Sequence, residues 1–172
     1  MKNNKPKYVF DATPLIILAK TSLLEHALES CEAYATDQVV KETAKNNDYP
    51  DAYIIKDCIE REALRKHSVR NTEKIKTLTR HQEIHLGEAE TLTAAEELDA
   101  TAVIDDKEAR AVAELYNIKT HPGTLFILFR LIQTGKLDRE TAETKLDQMI
   151  NAGLYLDSRT FIAAKNKLRE KK

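Results

Sequence analysis

The 172-residue chain holds only four glycines, two cysteines and no tryptophan. With glycine confined to Gly87, Gly123, Gly135 and Gly153, neither G-x-G-x-x-G nor G-x-x-x-x-G-K-[ST] can be written, so nucleotide binding by those loops is excluded. Cys31 and Cys58 lie far apart and form no C-x-x-C pair; the sequence offers no zinc site, and a reducing cytoplasm is the default compartment. There is no G-x-S-x-G elbow and no cysteine placed beside a histidine base. No apolar run approaches the roughly 18 residues of a membrane span, and the start MKNNKPK leads into no signal-like apolar core. The histidines (His26, His67, His81, His85, His121) are scattered. His81 and His85 sit four apart, but HQEIH lacks the glutamate of H-E-x-x-H, and both read as surface residues.

What is present is a balance of 42% hydrophobic and 32% charged residues, that of a soluble globular chain long enough to bury one core. The net charge is only −1, yet its distribution is uneven. Seven Lys/Arg face two Glu between Arg61 and His81, and five face one between Lys165 and Lys172. Basic margins on an acidic body suit a polyanionic partner, although on charge alone ordinary solvated helix faces are the better explanation.

Short β-rich runs alternate with helical patterns. The strand candidates are Tyr8–Asp11, Ala33–Thr36, Ser68–Arg70, Ala102–Ile104 and Lys119–His121. Such alternation predicts an α/β fold, a parallel sheet joined by right-handed crossovers with helices on both faces. Lys45–Asp51 reads as a loop, and Gly135 and Gly153 as helix stops. After His121-Pro-Gly the chain turns helical over Thr124–Thr134, Asp138–Asn151 and Ser158–Leu168. Leu125, Phe126, Leu128, Phe129 and Ile132 encircle much of the first of these helices. That helix is therefore expected to be deeply buried or to pack on a partner, and a homodimer is the simplest form of the latter.

The carboxylates carry the most information. In open α/β sheets, sites form beyond the carboxyl ends of the strands. Asp11 follows the first strand, Asp105 and Asp106 follow the fourth, Glu42 lies early in the helical stretch after the second, and Glu88 opens the helix GEAETLTAA. Each has a plainer role: Asp11 as a helix cap, Glu42 and Glu88 as solvated side chains. Asp105 has capping-box spacing to Glu108, which would leave Asp106 to point into a site. Four acids at one sheet edge repel one another unless divalent cations hold them, and hard oxygen donors suit Mg²⁺ or Mn²⁺.

VFDATPLI, VVKE, GEAETLTAA and VIDDKEAR, in that order and spacing, resemble the PIN-domain family of metal-dependent nucleases. The tail from Gly123 to Phe161 resembles the extra helices of a prokaryotic branch related to VapC-like toxins. The resemblance implies a three-layer α/β/α fold with a central parallel sheet, in a single PIN-like domain over residues 1–172 with a C-terminal helical extension from about residue 124. It further implies an acidic site that cleaves RNA. Asp11, Glu42, Glu88 and Asp106 match the family's first to fourth acids, and Thr13 matches the hydroxyl residue two after the first. The third position, commonly Asp, is Glu here.

The expectation is therefore a cytoplasmic endoribonuclease using Mg²⁺ or Mn²⁺. Asp11, Glu88 and Asp106 would be metal ligands, with Asp105 as a further candidate. Glu42 would orient the attacking water, and Thr13 would fix Asp11 by a hydrogen bond. Arg65, Lys66 and Arg70 are the candidates for contact with the RNA backbone. The toxin-like tail adds an antitoxin protein as a candidate partner. Two rival functions compete: a non-catalytic RNA-binding or interaction module on the same fold, and a phosphatase-like hydrolase. The phosphatase lacks its aspartyl nucleophile motif, because DAT has no second Asp.

Overall fold

The computed structural model describes residues 5–44 and 49–170. The chain runs through β1 (Lys7–Phe10), α1 (Ala12–Lys20), α2 (Leu24–Glu29), β2 (Glu32–Thr36), α3 (Asp37–Ala44), α4 (Pro50–Glu60) and β3 (Leu64–His67). It continues through α5 (Thr72–Leu78), α6 (Leu86–Glu97), β4 (Thr101–Ile104), α7 (Lys107–Leu115) and β5 (Thr120–Pro122). Three helices complete it: α8 (Gly123–Gln133), α9 (Arg139–Asn151) and α10 (Ser158–Arg169). The strands form one sheet in the order β3-β2-β1-β4-β5, with every pairing parallel.

The period of two along each strand divides the core between the faces of the sheet. Tyr8, Phe10 and Val103 join α1, α2 and α8 on one side, where α9 and α10 add an outer cover. Val9, Ala102 and Ile104 join α6 and α7 on the other, with Leu78 at the end of α5. This is a three-layer α/β/α sandwich with additional C-terminal helices. Successive connections step from β1 outward to β3 and then return to β4 on the other side of β1. The reversal leaves a crevice at the carboxyl ends of β1 and β4, the position where open α/β sheets bind ligands. Among the described residues no helix is long and apolar enough to cross a membrane.

Two boundaries depart from the sequence expectation. The third strand is Leu64–His67 rather than Ser68–Arg70. It is an edge strand paired only with β2, and Arg65 and Lys66 are exposed, so its sequence has too few apolar residues to look like a strand. The residues that follow it are held by Glu97, whose Oε1 accepts from the N–H groups of Arg70 and Asn71. Of the expected loop Lys45–Asp51, residues 45–48 lie outside the described residues, and Pro50 and Asp51 open α4. Proline at a first helical position needs no hydrogen-bond partner for its nitrogen.

The tail helices match their expected positions, and Gly135 and Gly153 follow α8 and α9 with φ of +71° and +110°. Leu128 is fully buried, while Leu125, Phe126, Phe129 and Ile132 are partly buried against the same core. Phe126 stacks on His121 at 3.7 Å and meets Tyr8 edge-on, and the Lys167 ammonium lies 4.9 Å from the centre of the Phe129 ring. Much of the apolar girth of α8 is thus covered within the chain.

Gly123 and Gly135 separate backbone preference from crowding. Gly123 has φ +41°, and a Cβ there would lie 1.8 Å from Asp105 Oδ1 and 2.8 Å from its Cα. Gly135 has φ +71° with nothing within 4 Å. Gly135→Ala should therefore lose about 1 kcal/mol for the left-handed backbone alone, whereas Gly123→Ala should lose about 2 kcal/mol or more. Denaturant unfolding of the two variants measures the difference, and equal losses would mean that the β4–α8 junction yields freely.

Candidate functional site

Four acids converge on the crevice at the strand ends, and each is delivered by the residue after a strand or by the first turns of a helix. Asp11 follows β1 and occupies the N-cap position of α1 with extended backbone (φ −76°, ψ 169°), yet its side chain makes no capping hydrogen bond. The residue is only 6% exposed. Burial raises its pKa, the Ala12 N–H opposes this, and repulsion from Glu88, Glu42 and Asp105 adds to it, so the group is pushed up to about 7. Asp11 thus holds the cap position without making the capping hydrogen bond, and the nearby backbone donor is the Ala12 N–H.

Glu88 is buried in the first turn of α6, where its Oε2 accepts from the His85 N–H at 2.9 Å. Burial raises its pKa, the His85 N–H opposes the rise, and Asp106 and Glu42 contribute further repulsion. Asp106 caps α7, with Oδ1 accepting from the Ala109 N–H at 2.8 Å. The capping role expected for Asp105 therefore belongs to its neighbour. Asp105 reaches across to α8 instead: Oδ1 accepts from the Thr124 N–H at 2.7 Å and Oδ2 from the Thr124 hydroxyl at 2.6 Å. Burial raises the Asp105 pKa against those two bonds. Sequence reasoning missed Thr124, and the only local hint was a hydroxyl residue following His121-Pro-Gly at the start of a helix.

Asp11, Thr13, Glu88, Asp105 and Asp106 line one cavity of about 490 Å³, together with Lys107, Arg110 and the loop Gly153–Asp157. Thr13 is exposed on the first turn of α1. Glu42 stands next door on α3, where it accepts from Gln38 Nε2 at 2.8 Å. It lies close to Gly87, where a Cβ would stand 3.0 Å from Glu42 Oε2. Arg110 Nη1 donates to the backbone carbonyls of Ile104, Asp105 and Asp106, which fixes the turn that carries two of the acids.

The cationic candidates lie elsewhere. Arg65 and Lys66 are on edge strand β3 and pair with Glu32 at 3.5 Å and Asp37 at 3.4 Å. Arg70 follows that strand. Of the two histidines read as surface residues, His85 is exposed. His81 is partly buried, its Nε2 3.0 Å from the Tyr116 hydroxyl.

The donor set is one of hard carboxylate oxygens, which fits Mg²⁺ or Mn²⁺ by chemistry. Its spacing is looser than a coordination sphere: among the described residues no group of three His, Cys, Asp or Glu side chains is drawn together tightly enough to hold a metal ion. Glu88, Asp105 and Asp106 are each turned toward a backbone N–H. Both Asp105 oxygens are engaged by Thr124, whereas the hydrogen bonds to Asp106 and Glu88 each use one oxygen.

A family model described as a PIN domain matches residues 7–170. The chain belongs to the PIN-domain family. Among curated proteins none matches it. In this PIN domain the acids gather where the sheet order reverses, and the family match spans both the sheet and the C-terminal helices that close the cavity.

The charge crowding at Asp11 has a testable sign. Its folded pKa of about 7 lies above the ordinary 3.8, so the folded chain keeps a proton that the unfolded chain releases across that interval. The stability linked to that proton is complete below the unfolded pKa and is lost as pH rises through 7. In metal-free buffer at pH 8, Asp11→Asn should melt several degrees above the parent, and the gap should close toward pH 4. Thermal melts of both proteins across that range test it; a variant less stable than the parent at pH 8 would show that neither burial of its charge nor repulsion burdens this residue.

Proposed function

We propose that this PIN domain is an endoribonuclease that uses Mg²⁺ or Mn²⁺ to hydrolyse RNA phosphodiester bonds. The observation that carries the reading is Asp11: a buried carboxylate at the end of the central strand, free of capping duty and surrounded by other acids. Such an arrangement is unfavourable by itself and becomes favourable with a cation in place.

Asp11, Glu88 and Asp106 would hold the ion, while Asp105, with both oxygens committed to Thr124, is the weaker candidate. When bound, a divalent cation lowers the pKa of a water molecule and neutralises charge on the phosphate. Glu42, beyond Gly87, would orient the water by hydrogen bonding, and Thr13 would steady Asp11 at the cavity mouth. Arg110 keeps the Asp105–Asp106 turn rigid, so that the acid on α7 does not drift. Arg65, Lys66 and Arg70 would follow the RNA backbone along the sheet edge. Arg65 and Lys66 are exposed, and surface ion pairs such as theirs with the half-buried Glu32 and Asp37 are worth little, so exchange for phosphate is inexpensive.

The tail's likeness to VapC-like toxins makes this chain a candidate toxin with an antitoxin protein as its partner, acting in the cytoplasm. A homodimer belongs to the same reading, and a light-scattering mass of one or two chains decides it. The competing reading, a PIN fold that binds RNA without cutting it, is favoured by one observation: the carboxylates are turned toward backbone donors rather than toward a common point.

Incubation of the purified protein with mixed RNAs separates the two. Cleavage should occur in Mn²⁺ or Mg²⁺, vanish in EDTA, and be poor in Ca²⁺, whose variable coordination positions a water less well. Asp11→Asn should reduce the rate by about 100-fold or more. Cleavage undiminished by EDTA would overturn the metal mechanism; RNA bound but uncut under every condition would favour the binding module.

A further inference from the structure

Glu42 differs from the other acids of the crevice in how it is held. It is exposed, and among the described residues its hydrogen bond comes from a side chain, Gln38 Nε2, which donates to Oε1 at 2.8 Å. A glutamate in solvent keeps most of its rotamer freedom unless something restrains it. A Gln–Glu pair four apart on a surface helix is by itself only a small helix stabiliser. Here the pair is docked on a second helix. Gln38 and Glu42 lie on one face of α3, and Gly87 and Glu90, three apart, lie on one face of α6. The two faces meet. Glu90 Oε2 accepts from the Gln38 N–H at 3.0 Å, and the Glu42 carboxylate lies over Gly87, where a Cβ would stand 3.0 Å from Oε2 and 3.1 Å from Oε1. Gln38 is in the first turn of α3, where the N–H groups have no acceptor within the helix. Thr36 Oγ1 accepts from the Val39 N–H at 3.3 Å, and α6 supplies the acceptor for Gln38. The start of α3 is therefore fixed from two sides, and the Gln38 side chain extends that fixed point to the carboxylate one turn on.

We infer that Gln38 is a positioning residue for Glu42, anchored by Glu90 across the junction of α3 and α6. The inference rests on the nuclease reading above and adds to it the means by which the water-orienting acid is placed. An amide suits this task better than a cation. A lysine or arginine at position 38 would pair with Glu42 and neutralise it, whereas a neutral N–H donor fixes one oxygen and leaves the charge in place. Oε1 is taken by Gln38; Oε2, with no hydrogen-bond partner among the described residues, is the oxygen left for a water. Glu88 stands one residue beyond Gly87 on the same helix. The helix that presents a proposed ligand thus also anchors the residue that aims the water. Hydrogen-bonded supports of this kind commonly account for about 10–100-fold in activity.

Hydrogen exchange at one amide tests the anchor in metal-free protein. Because the Gln38 N–H has no acceptor in its own helix, its protection reports on the bond to Glu90. It should exchange about ten-fold or more slowly in the parent than in Glu90→Ala, with the amides of β1 unchanged. A Gln38 N–H that exchanges equally fast in both proteins overturns the inference. Cleavage in Mn²⁺ tests the aim. Gln38→Met keeps the length of the side chain and removes the donor; kcat should fall about ten-fold or more with KM within about two-fold, because the contact acts in the chemical step. In a Glu42→Gln background the same substitution should cost less than about two-fold, since a residue that acts through Glu42 has nothing left to place. An equal loss in both backgrounds overturns the inference, as does full kcat in Gln38→Met while the parent cuts RNA normally; either leaves the nuclease reading intact. A parent protein that cuts no RNA with any metal removes that reading and this inference with it.

Discussion

A carboxylate buried at the tip of the central strand is the constraint around which this structure is arranged. Asp11 cannot be solvated as an ordinary surface acid is, and its neighbours carry the same charge. Removing like charges from water together is unfavourable, so the fold has to compensate at every acid it brings there. It does so with helix starts. Glu88 accepts from a backbone N–H at the entrance to α6, Asp106 at the entrance to α7, and Asp105 at the entrance to α8. Each helix presents unpaired N–H groups and the positive end of its dipole at that point. The acids are thus distributed one to a helix, and only Asp11 is left without a capping hydrogen bond from its own helix. Asp11 is therefore the acid of this group that its own helix compensates least.

The division of labour between Asp105 and Asp106 follows from the same compensation. Adjacent residues after a strand cannot both point the same way, so one turns along α7 and the other across to Thr124. The crossing residue joins the end of β4 to the start of α8 and requires a residue without a Cβ at position 123. Arg110 closes the turn from beneath through three carbonyls. The turn thereby sets where both carboxylates stand on the cavity wall.

Much of this was legible in the sequence because it is local. Alternating apolar residues identified β1, β2, β4 and β5, and the acids at the ends of β1 and β4 followed from where strands stop. The sequence places the third strand four residues late, at Ser68–Arg70, because an edge strand need bury only one face and Leu64-Arg-Lys-His has exposed cations at its middle. The cap was assigned to Asp105 on spacing to Glu108, but spacing cannot say which of two neighbouring acids turns toward the helix; the Thr124 bond, nineteen residues away, decides that. Glu90 was invisible for a similar reason. Its Oε2 accepts the Gln38 N–H at 3.0 Å from another helix, fifty-two residues distant, and so steadies the first turn of the helix that carries Glu42.

The C-terminal helices change in meaning once the structure is considered. As sequence, the apolar girth of α8 asked for something to cover it; α9 and α10 supply much of that cover from the same chain. The covering helices also contribute a wall, because the connection between them lines the acid cavity. Cover and wall are mechanically one object. Leu154 and Leu156 pack into the same core as α8, and Thr124, the second residue of α8, holds both oxygens of Asp105. A change in how the tail packs therefore reaches the acids by a short chain of contacts: loop, core, α8, Asp105, and the turn that Asp105 shares with Asp106. The sheet brings the acids together, and the tail forms one wall of the cavity they line.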